Sequence, residues 1–217
     1  MQNGVGYNLA LMQGKPLTLY EWLNGWKEME IIKLTGKEYY LKTLLPEDVT
    51  DRYVDWLNDP EINRFLEVRF TKSTLESIRS FVEKFDNKSK YLLGIFTSND
   101  DKHIGNITLK VNLIHNTAST GHLIGDKKYW GKNAYTEAII LLLDFSFNKL
   151  GLRRVNGSTY ITNIPTIISL KSLGFAIEGR LRESYKDGNE VVDSLILSML
   201  KREWSEYETQ LKRRIIT

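Results

Sequence analysis

The 217-residue chain contains no cysteine and only three histidines, His103, His115 and His122. Without cysteine it can form neither disulfides nor thiolate metal sites, and it has no thiol nucleophile. None of the histidines stands at the helical spacing of a zinc-binding pair, so we predict that the chain holds no metal. A chain free of disulfides suits a reducing cytoplasm, and this is the location we expect.

Long apolar runs are also missing. The longest, such as residues 138–143, fall far short of the roughly 20 residues that span a bilayer. The start Met-Gln-Asn-Gly lacks the basic segment and apolar core of a secretory signal, so we expect no membrane partner. The net charge of +3 is concentrated near the C-terminus, which favours a solvated terminal helix over a nucleic-acid surface.

The remaining composition is that of a globular protein, with 41% hydrophobic and 26% charged residues, and the length suits one domain. We interpret residues 30–217 as this domain and residues 1–29 as an N-terminal extension of irregular pattern. Trp22 and Trp26 are four apart and could share one helical face that packs on the body or on a second subunit. A homodimer or small homo-oligomer is therefore a hypothesis to test, with a frayed extension as the alternative.

Hydrophobic periodicity and turn residues predict an α/β (α+β) fold. A strand-like stretch covers residues 30–44, and helices are predicted over 46–57 and 61–66. An amphipathic helix begins at a capping box formed by Ser73 and Glu76. Further strands are predicted over 91–96, 104–111, 118–124 and 153–160, helices over 134–150, 164–173 and from residue 201, and a hairpin with its turn at Asp187-Gly188, whose second strand, 191–200, should be buried.

The segment from Lys128 to Thr136 lies between a predicted strand and a long predicted helix, and it contains a glycine, Gly131. Unpaired backbone N–H groups and the helix dipole converge on an anion at such a junction. The segment is neither a nucleotide-triphosphate P-loop nor a three-glycine dinucleotide loop. By itself it predicts only an anion site.

Several motifs stand in a fixed order around this loop: Gly121 to Asp126, Tyr129-Trp130-Gly131-Lys132, Thr136-Glu137-Ala138, Thr162-Asn163 and Leu173-Gly174-Phe175. In this order they resemble the GNAT superfamily of N-acetyltransferases, over roughly residues 30–207. The resemblance implies a mixed, curved sheet flanked by helices, in which the strand ending at Ile124 splays from the one starting at Arg153. It also implies acyl-CoA as cosubstrate, with its pantetheine arm in that gap.

The resemblance further implies which residues bind the cosubstrate. Backbone groups around Leu123 and Ile124 would pair with the arm, and amides of the loop would hold the pyrophosphate. Asn163 would orient the arm or the acceptor, while as an alternative it only caps the following helix. The full predicted set is Leu123, Ile124, Lys128, Trp130, Gly131, Lys132, Asn133, Ala134, Tyr135, Thr136 and Asn163.

The sequence departs from the family pattern at several positions. Asn133 replaces a small residue whose backbone could need an unusual conformation; asparagine tolerates positive φ, but its side chain could crowd the phosphates. Leu170 stands where many relatives carry a tyrosine proton donor, which leaves Ser169, Ser172 or solvent as the acid. Ser119 stands where several relatives have a glutamate base.

His122 is the candidate general base, because the unperturbed pKa of histidine lies near neutrality and the attacking amine must lose a proton. A structural hydrogen-bonding role is the alternative. Much of the rate could also come from aligning the amine with the thioester, since effective molarities on the order of 10⁵ to 10⁸ M are known for intramolecular reactions. The predicted catalytic set is therefore His122, Asn163 and Ser169.

Two further stretches, Tyr53 to Glu61 and Leu66 to Phe70, resemble transferases that acylate nucleotide-linked amino sugars in surface polysaccharide biosynthesis. The resemblance implies such a small molecule as acceptor, and acetyl or a short hydroxyacyl as the transferred group. The alternatives are acetylation of a ribosomal-protein N-terminus or another small amine, and a module that binds acyl-CoA without turnover. The predicted substrate-binding residues are Asn58, Glu67, Arg69, Phe70 and Tyr185.

Overall fold

The computed structural model describes residues 31–216. The predicted extension, residues 1–29 with its two tryptophans, lies outside the described residues. The strands are β1 (Lys33–Thr35), β2 (Tyr39–Thr43), β3 (Lys90–Thr97), β4 (His103–Asn112), β5 (Thr117–Ile124), β6 (Arg154–Tyr160), β7 (Ala176–Asp187) and β8 (Glu190–Leu200). The helices are α1 (Asp51–Asn58), α2 (Leu75–Val82), α3 (Ala134–Asp144), α4 (Ile164–Ser172) and α5 (Lys201–Ile216).

The strands form one mixed sheet in the order β1-β2-β3-β4-β5-β6-β8-β7. Each neighbouring pair is antiparallel except β5 and β6, which run parallel. Helices cover both faces, so the predicted α/β class with a mixed sheet is confirmed. Within residues 31–216, no helix combines the length and the apolar character that crossing a bilayer requires.

Side-chain alternation divides the core into two layers. On one face, Ala118 and Val155 pack with α3, α4 and α5 in a cluster that includes the fully buried Trp204. On the other face, Leu123 packs with Trp56 of α1 and Ile78 of α2. Because successive strand residues point to opposite faces, odd and even positions of β5 serve different layers. Burial of each large apolar side chain contributes about 1.5–3 kcal/mol.

The pairing of β5 with β6 ends early. Only three residue pairs are in register, Thr117 with Arg154, Ala118 with Val155 and Ser119 with Asn156. Beyond them β5 continues to Ile124 with β4 as its partner, while β6 continues to Tyr160 with β8 as its partner. The predicted splay between these two central strands is therefore present, and we call the resulting gap the wedge.

A buried carboxylate anchors the start of α3. Glu137 Oε1 accepts the backbone N–H groups of Glu38 (3.0 Å) and Tyr39 (3.1 Å), although the residue is only 5% exposed. Burial raises the pKa of the Glu137 carboxyl, and the amide donors act in the opposite direction. Gly36 is required beside it, because a Cβ there would lie 2.1 Å from Oε1. The first turn of α3 is thus fixed to the β1–β2 hairpin.

Several predicted boundaries were wrong near the N-terminal side of the sheet. The stretch 30–44 is a hairpin of two strands rather than one. The predicted helix 46–57 divides into a short 3₁₀ turn, Pro46–Asp48, and α1. The predicted helix 61–66 is a series of turns, since Asn63 Nδ2 donates to Leu57 O (2.8 Å) and the side chain of Asp59 accepts the N–H of Glu61 (2.9 Å). A 3₁₀ turn, Glu67–Phe70, follows.

Two further differences concern caps and burial. The capping box before α2 is formed by Thr74 and Ser77, one residue later than predicted. The second hairpin strand, β8, is buried only towards its C-terminal half, and Val191 is 55% exposed. Its partner β7 is the last strand of the sheet, and most residues of β7 are exposed. The remaining strands, and α3 and α4, lie within a few residues of their predicted positions.

Candidate active site

The loop between β5 and α3 is held in shape by its own side chains. Asp126 accepts the N–H of Lys128 (3.0 Å) and starts a 3₁₀ turn, Lys127–Tyr129. The indole N–H of Trp130 donates to Ile124 O (2.8 Å), which folds the loop back onto the end of β5. Gly131 has φ +72°, a conformation that L side chains rarely adopt. The loop therefore needs glycine at this position.

Asn133 adopts the left-handed conformation (φ 58°, ψ 4°), as its place in the motif suggested. Its exposed side chain makes no capping bond to α3. The first helical bond runs from Glu137 N to Asn133 O (2.9 Å), so the N–H groups of Ala134, Tyr135 and Thr136 precede it. These amides and the helix dipole favour an anion at the start of α3.

Lysine side chains surround this helix end. Lys127 is paired with Asp59 (2.8 Å) and Glu61, and Lys102 with Asp126 (2.7 Å). Lys128 and Lys132 are exposed and take part in none of the ion pairs found among residues 31–216. Both lysines are thus available to bind a phosphate at the start of α3, next to the N–H groups of residues 134–136, which we call the open amides.

Backbone groups of β5 border the wedge. A Cβ built on Gly157 of β6 would lie 3.5 Å from Thr120 O, so this carbonyl points across the gap. By strand alternation the backbone groups of His122 point the same way. Leu123 O faces β4, because it would lie 2.2 Å from a Cβ on Gly105, and Ile124 O is bonded to Trp130. The polar edge of the wedge is therefore provided by Thr120 and His122 rather than by Leu123.

His122 lies on the α3 face of the sheet. Its ring stacks on Tyr135 of α3 at 3.7 Å, and its Nε2 lies 3.4 Å from Thr166 Oγ1 of α4. Burial lowers the pKa of His122 to about 4, so the imidazole is neutral and a weak proton acceptor near pH 7. Its role as general base stays a prediction, and the contacts favour a structural role.

The other predicted catalytic residues lie on α4. Asn163 is the N-cap, and its Oδ1 lies 3.5 Å from Thr166 N, which makes the capping bond a long one. Ser169 is partly exposed one turn further on, and its carbonyl accepts the hydroxyl of Ser172 (2.8 Å). Leu170 is 3% exposed and belongs to the core. A proton-donating role of Ser169 stays a prediction.

A second cluster lies on the opposite face of the sheet, at the end of β6. Tyr160 stacks on Tyr185 of β7 (4.2 Å between ring centroids, 14° between planes), and Phe65 packs on Tyr160 at 5.4 Å. Glu67 Oε1 is 3.4 Å from the Tyr160 hydroxyl, whose pKa is raised by burial and by this carboxylate, while Arg69 opposes the rise. We call Phe65, Glu67, Tyr160 and Tyr185 the tyrosine cluster. The guanidinium of Arg69 also lies over the Tyr160 ring at 5.2 Å, so the structure brings together three predicted substrate residues, Glu67, Arg69 and Tyr185.

Asn58 and Arg69 are held by bonds to neighbouring segments, and Phe70 is exposed. Asn58 donates to Ser73 O and accepts from Ser73 N, both at 2.9 Å, so its amide joins α1 to the segment before α2. Arg69 pairs with Asp187 (3.4 Å) and bonds the carbonyls of Arg64 and Lys186. Phe70 is 57% exposed, with the guanidinium of Arg69 at 4.7 Å. Arg69 thus joins the Glu67–Phe70 turn to the end of β7.

Sequence reasoning missed Tyr160, Phe65 and Thr120. Tyr160 ends a predicted strand, and strand alternation places its side chain on the face opposite Val155, which could have distinguished it from the core residues that pack against α3. No local signal distinguishes Phe65 or Thr120, because their importance depends on elements far away in the chain. Among residues 31–216, no group of three His, Asp or Glu side chains could hold a metal ion.

The fold and the loop define a class of α/β protein that can hold a phosphate-bearing ligand beside a cleft edged by strands. A family model described as an acetyltransferase (GNAT) domain matches residues 39–176. The "Uncharacterized N-acetyltransferase p20" of Bacillus licheniformis is 28% identical over 182 residues, which cover 76% of this chain and 99% of the relative. The "Probable N-acetyltransferase YjcK" of Bacillus subtilis is 32% identical over 126 residues, 57% of this chain and 68% of the relative.

Solved structures share the fold. A spermidine N-acetyltransferase from Vibrio cholerae, in complex with CoA and spermine, has a TM-score of 0.69 at 19% identity, covering 77% of this chain and 98% of that one. A GNAT-family acetyltransferase from Bacillus anthracis has a TM-score of 0.68 at 18% identity, covering 79% and 99%. This chain belongs to the GNAT acetyltransferase family. It is an acyl-CoA-dependent N-acetyltransferase of the GNAT type, a family that uses acetyl-CoA as cosubstrate.

The burial of His122 predicts a pH dependence of stability. The pKa of His122 is about 4 in the folded chain against an ordinary 6.5, so between these pH values the unfolded state binds a proton that the folded state excludes. Stability should therefore fall as the pH is lowered from about 6.5 to about 4. In His122→Phe, which keeps a ring on Tyr135, this component should be absent, and its melting temperature should fall less steeply over that window than that of the wild type. Parallel melting profiles would contradict the burial of a neutral imidazole.

Proposed function

We propose that the loop and the wedge hold acyl-CoA in a single continuous site within a transferase domain of residues 30–217. The observation that carries this proposal is that the pairing of β5 with β6 ends at Ser119, so that the unpaired part of β5 leads into the loop and the open amides of α3. Lys128, Lys132 and the amides from Ala134 to Thr136 would hold the pyrophosphate. Thr120 and His122 would offer backbone groups to the arm as an adjoining strand does.

Bound acyl-CoA would supply the activated acyl group as a thioester. The chain's own residues would position the two reactants and handle the acceptor's proton. Glu67 is an exposed carboxylate beside Tyr160, on the face opposite His122, and it is the group best placed to take a proton from an entering ammonium. The alignment of the amine with the thioester would contribute most of the remaining rate.

We propose a nucleotide-linked amino sugar as the acceptor. The stacked Tyr160–Tyr185 pair offers an aromatic surface to a sugar or a base, and Arg64, whose side chain is 54% exposed, lies beside it as a partner for a diphosphate. A polyamine or a peptide N-terminus is the second candidate. It is favoured by the Glu67 carboxylate, which would attract a cationic amine, and the fold is shared with a spermidine N-acetyltransferase.

The loop assignment is tested by a pair of glycines with matched backbones. Gly131 (φ +72°) and Gly151 (φ +66°) both have open space where a Cβ would stand. Alanine at either position should cost about 1 kcal/mol of stability, because both need positive φ. Only Gly131→Ala should also weaken CoA binding, by about tenfold, since its backbone would face the pyrophosphate. Equal CoA affinity of the two variants in calorimetric titration would remove the loop from the site.

The acceptor is tested by thiol release from acetyl-CoA with nucleotide-linked amino sugars, spermidine and short peptides. We expect turnover with the amino sugars. Tyr185→Ala should raise KM for the acceptor roughly three- to tenfold, because a stacked ring is worth about 0.5–1.5 kcal/mol, and should leave CoA affinity unchanged.

Tyr207→Ala is the control, since Tyr207 is an exposed tyrosine on α5, outside the tyrosine cluster. Turnover confined to spermidine or to peptides would reject the amino-sugar proposal and support the second candidate. Absence of turnover with every acceptor, together with intact CoA binding, would instead favour a module that binds acyl-CoA without transferring its acyl group.

A further inference from the structure

Thr120 occupies a particular position in β5. It is the first residue after the last pair formed with β6, and its carbonyl points across the wedge towards Gly157. Its side-chain hydroxyl oxygen is shielded from solvent and has no hydrogen-bond partner in the described part of the chain. A buried hydroxyl without a partner is unfavourable, because it loses its bonds to water and gains none. Such a group calls for an explanation.

The surroundings of Thr120 are those of a binding site rather than of a core defect. It shares its sheet face with His122, whose ring reaches across to Thr166 Oγ1 on α4 (3.4 Å). Opposite lies Gly157, where a Cβ would approach Thr120 Cγ2 to 3.9 Å, so the absence of a side chain there keeps the space open. Two threonine hydroxyls, at Thr120 and Thr166, thus flank the wedge on its α3 face.

Other buried polar side-chain atoms without a partner lie away from the wedge. Trp204 Nε1 and Ser146 Oγ belong to the packing of α5 and the end of α3, and Asn106 Nδ2 lies on β4 beside His103. Arg69 Nε belongs to the ion pair with Asp187. Among the described residues, Thr120 Oγ1 is thus the unpartnered buried atom on a strand that borders the wedge.

We propose that the Thr120 hydroxyl binds an amide of the pantetheine arm of coenzyme A. A hydroxyl can both donate and accept, so it can satisfy either the N–H or the C=O of that amide. The ligand would supply the hydrogen-bond partner that Thr120 lacks within the protein. The hydroxyl would thereby fix the position of the arm along β5. This inference rests on the proposed placement of the arm in the wedge.

The test is Thr120→Val, which removes the hydroxyl and keeps the shape of the side chain and its β-propensity. Titration calorimetry would compare coenzyme A with 3′-phosphoadenosine 5′-diphosphate, which has the pyrophosphate but no arm. We expect the variant to bind coenzyme A about three- to tenfold more weakly and the nucleotide unchanged. Its ligand-free melting temperature should equal or exceed that of the wild type, because an unsatisfied group is gone.

Thr120→Ser should restore most of the coenzyme A affinity. Thr117→Val, on the paired end of the same strand, is the control and should change neither affinity. Unchanged coenzyme A affinity in Thr120→Val, or an equal loss for both ligands, would overturn the role of Thr120. If wild-type protein bound coenzyme A no more tightly than the nucleotide, the placement of the arm would fail, and the inference with it.

Discussion

The end of the β5–β6 pairing is the constraint on which the rest of the site depends. A strand inside a sheet normally satisfies its backbone on both sides, whereas β5 beyond Ser119 has β4 as its strand partner on one side only. Such an exposed edge can accept an added strand or an extended ligand. Since the same strand leads directly into the loop and α3, the unpaired edge and the open helix amides are contiguous, as an anionic ligand with an extended arm requires.

The sheet also separates two kinds of chemistry. Thr120, His122 and Thr166 lie on the α3 face, while Glu67, Tyr160 and Tyr185 lie on the opposite face at the end of β6. Because a one-residue step along a strand changes the face, neighbours in sequence can serve different layers. The wedge is an opening between the two faces of the sheet. We propose that the thioester of the cosubstrate meets the acceptor amine there.

The correct predictions of strands and helices rest on local sequence patterns. The site residues were harder to predict, because their roles depend on contacts between distant parts of the chain. The strands and α3 follow from alternation and from glycines at the ends of elements, such as Gly151 and Gly174 with positive φ. The left-handed Asn133 followed from its place in the motif. The hydrogen bonds of Asn58 with Ser73 and of Arg69 with Asp187 could not be predicted from the sequence, because the partners are 15 and 118 residues apart in the chain. Polar residue types predicted a cleft but not which side chains would be free within it.

Burial changes the pKa values of the titratable side chains near the wedge. Leu170 is a core residue without a proton to donate, and the lowered pKa of His122 keeps its ring neutral and weakly basic near pH 7, so the general-base role of His122 stays a prediction. The Tyr160 hydroxyl, whose pKa is raised by its burial, lies beside a carboxylate that remains exposed to water. We propose Glu67 as the proton acceptor because it is in contact with water, to which the proton can be released, whereas the His122 ring is stacked on Tyr135 on the other face. We therefore propose that proton transfer takes place on the face that holds Glu67, and that the α3 face holds the cosubstrate.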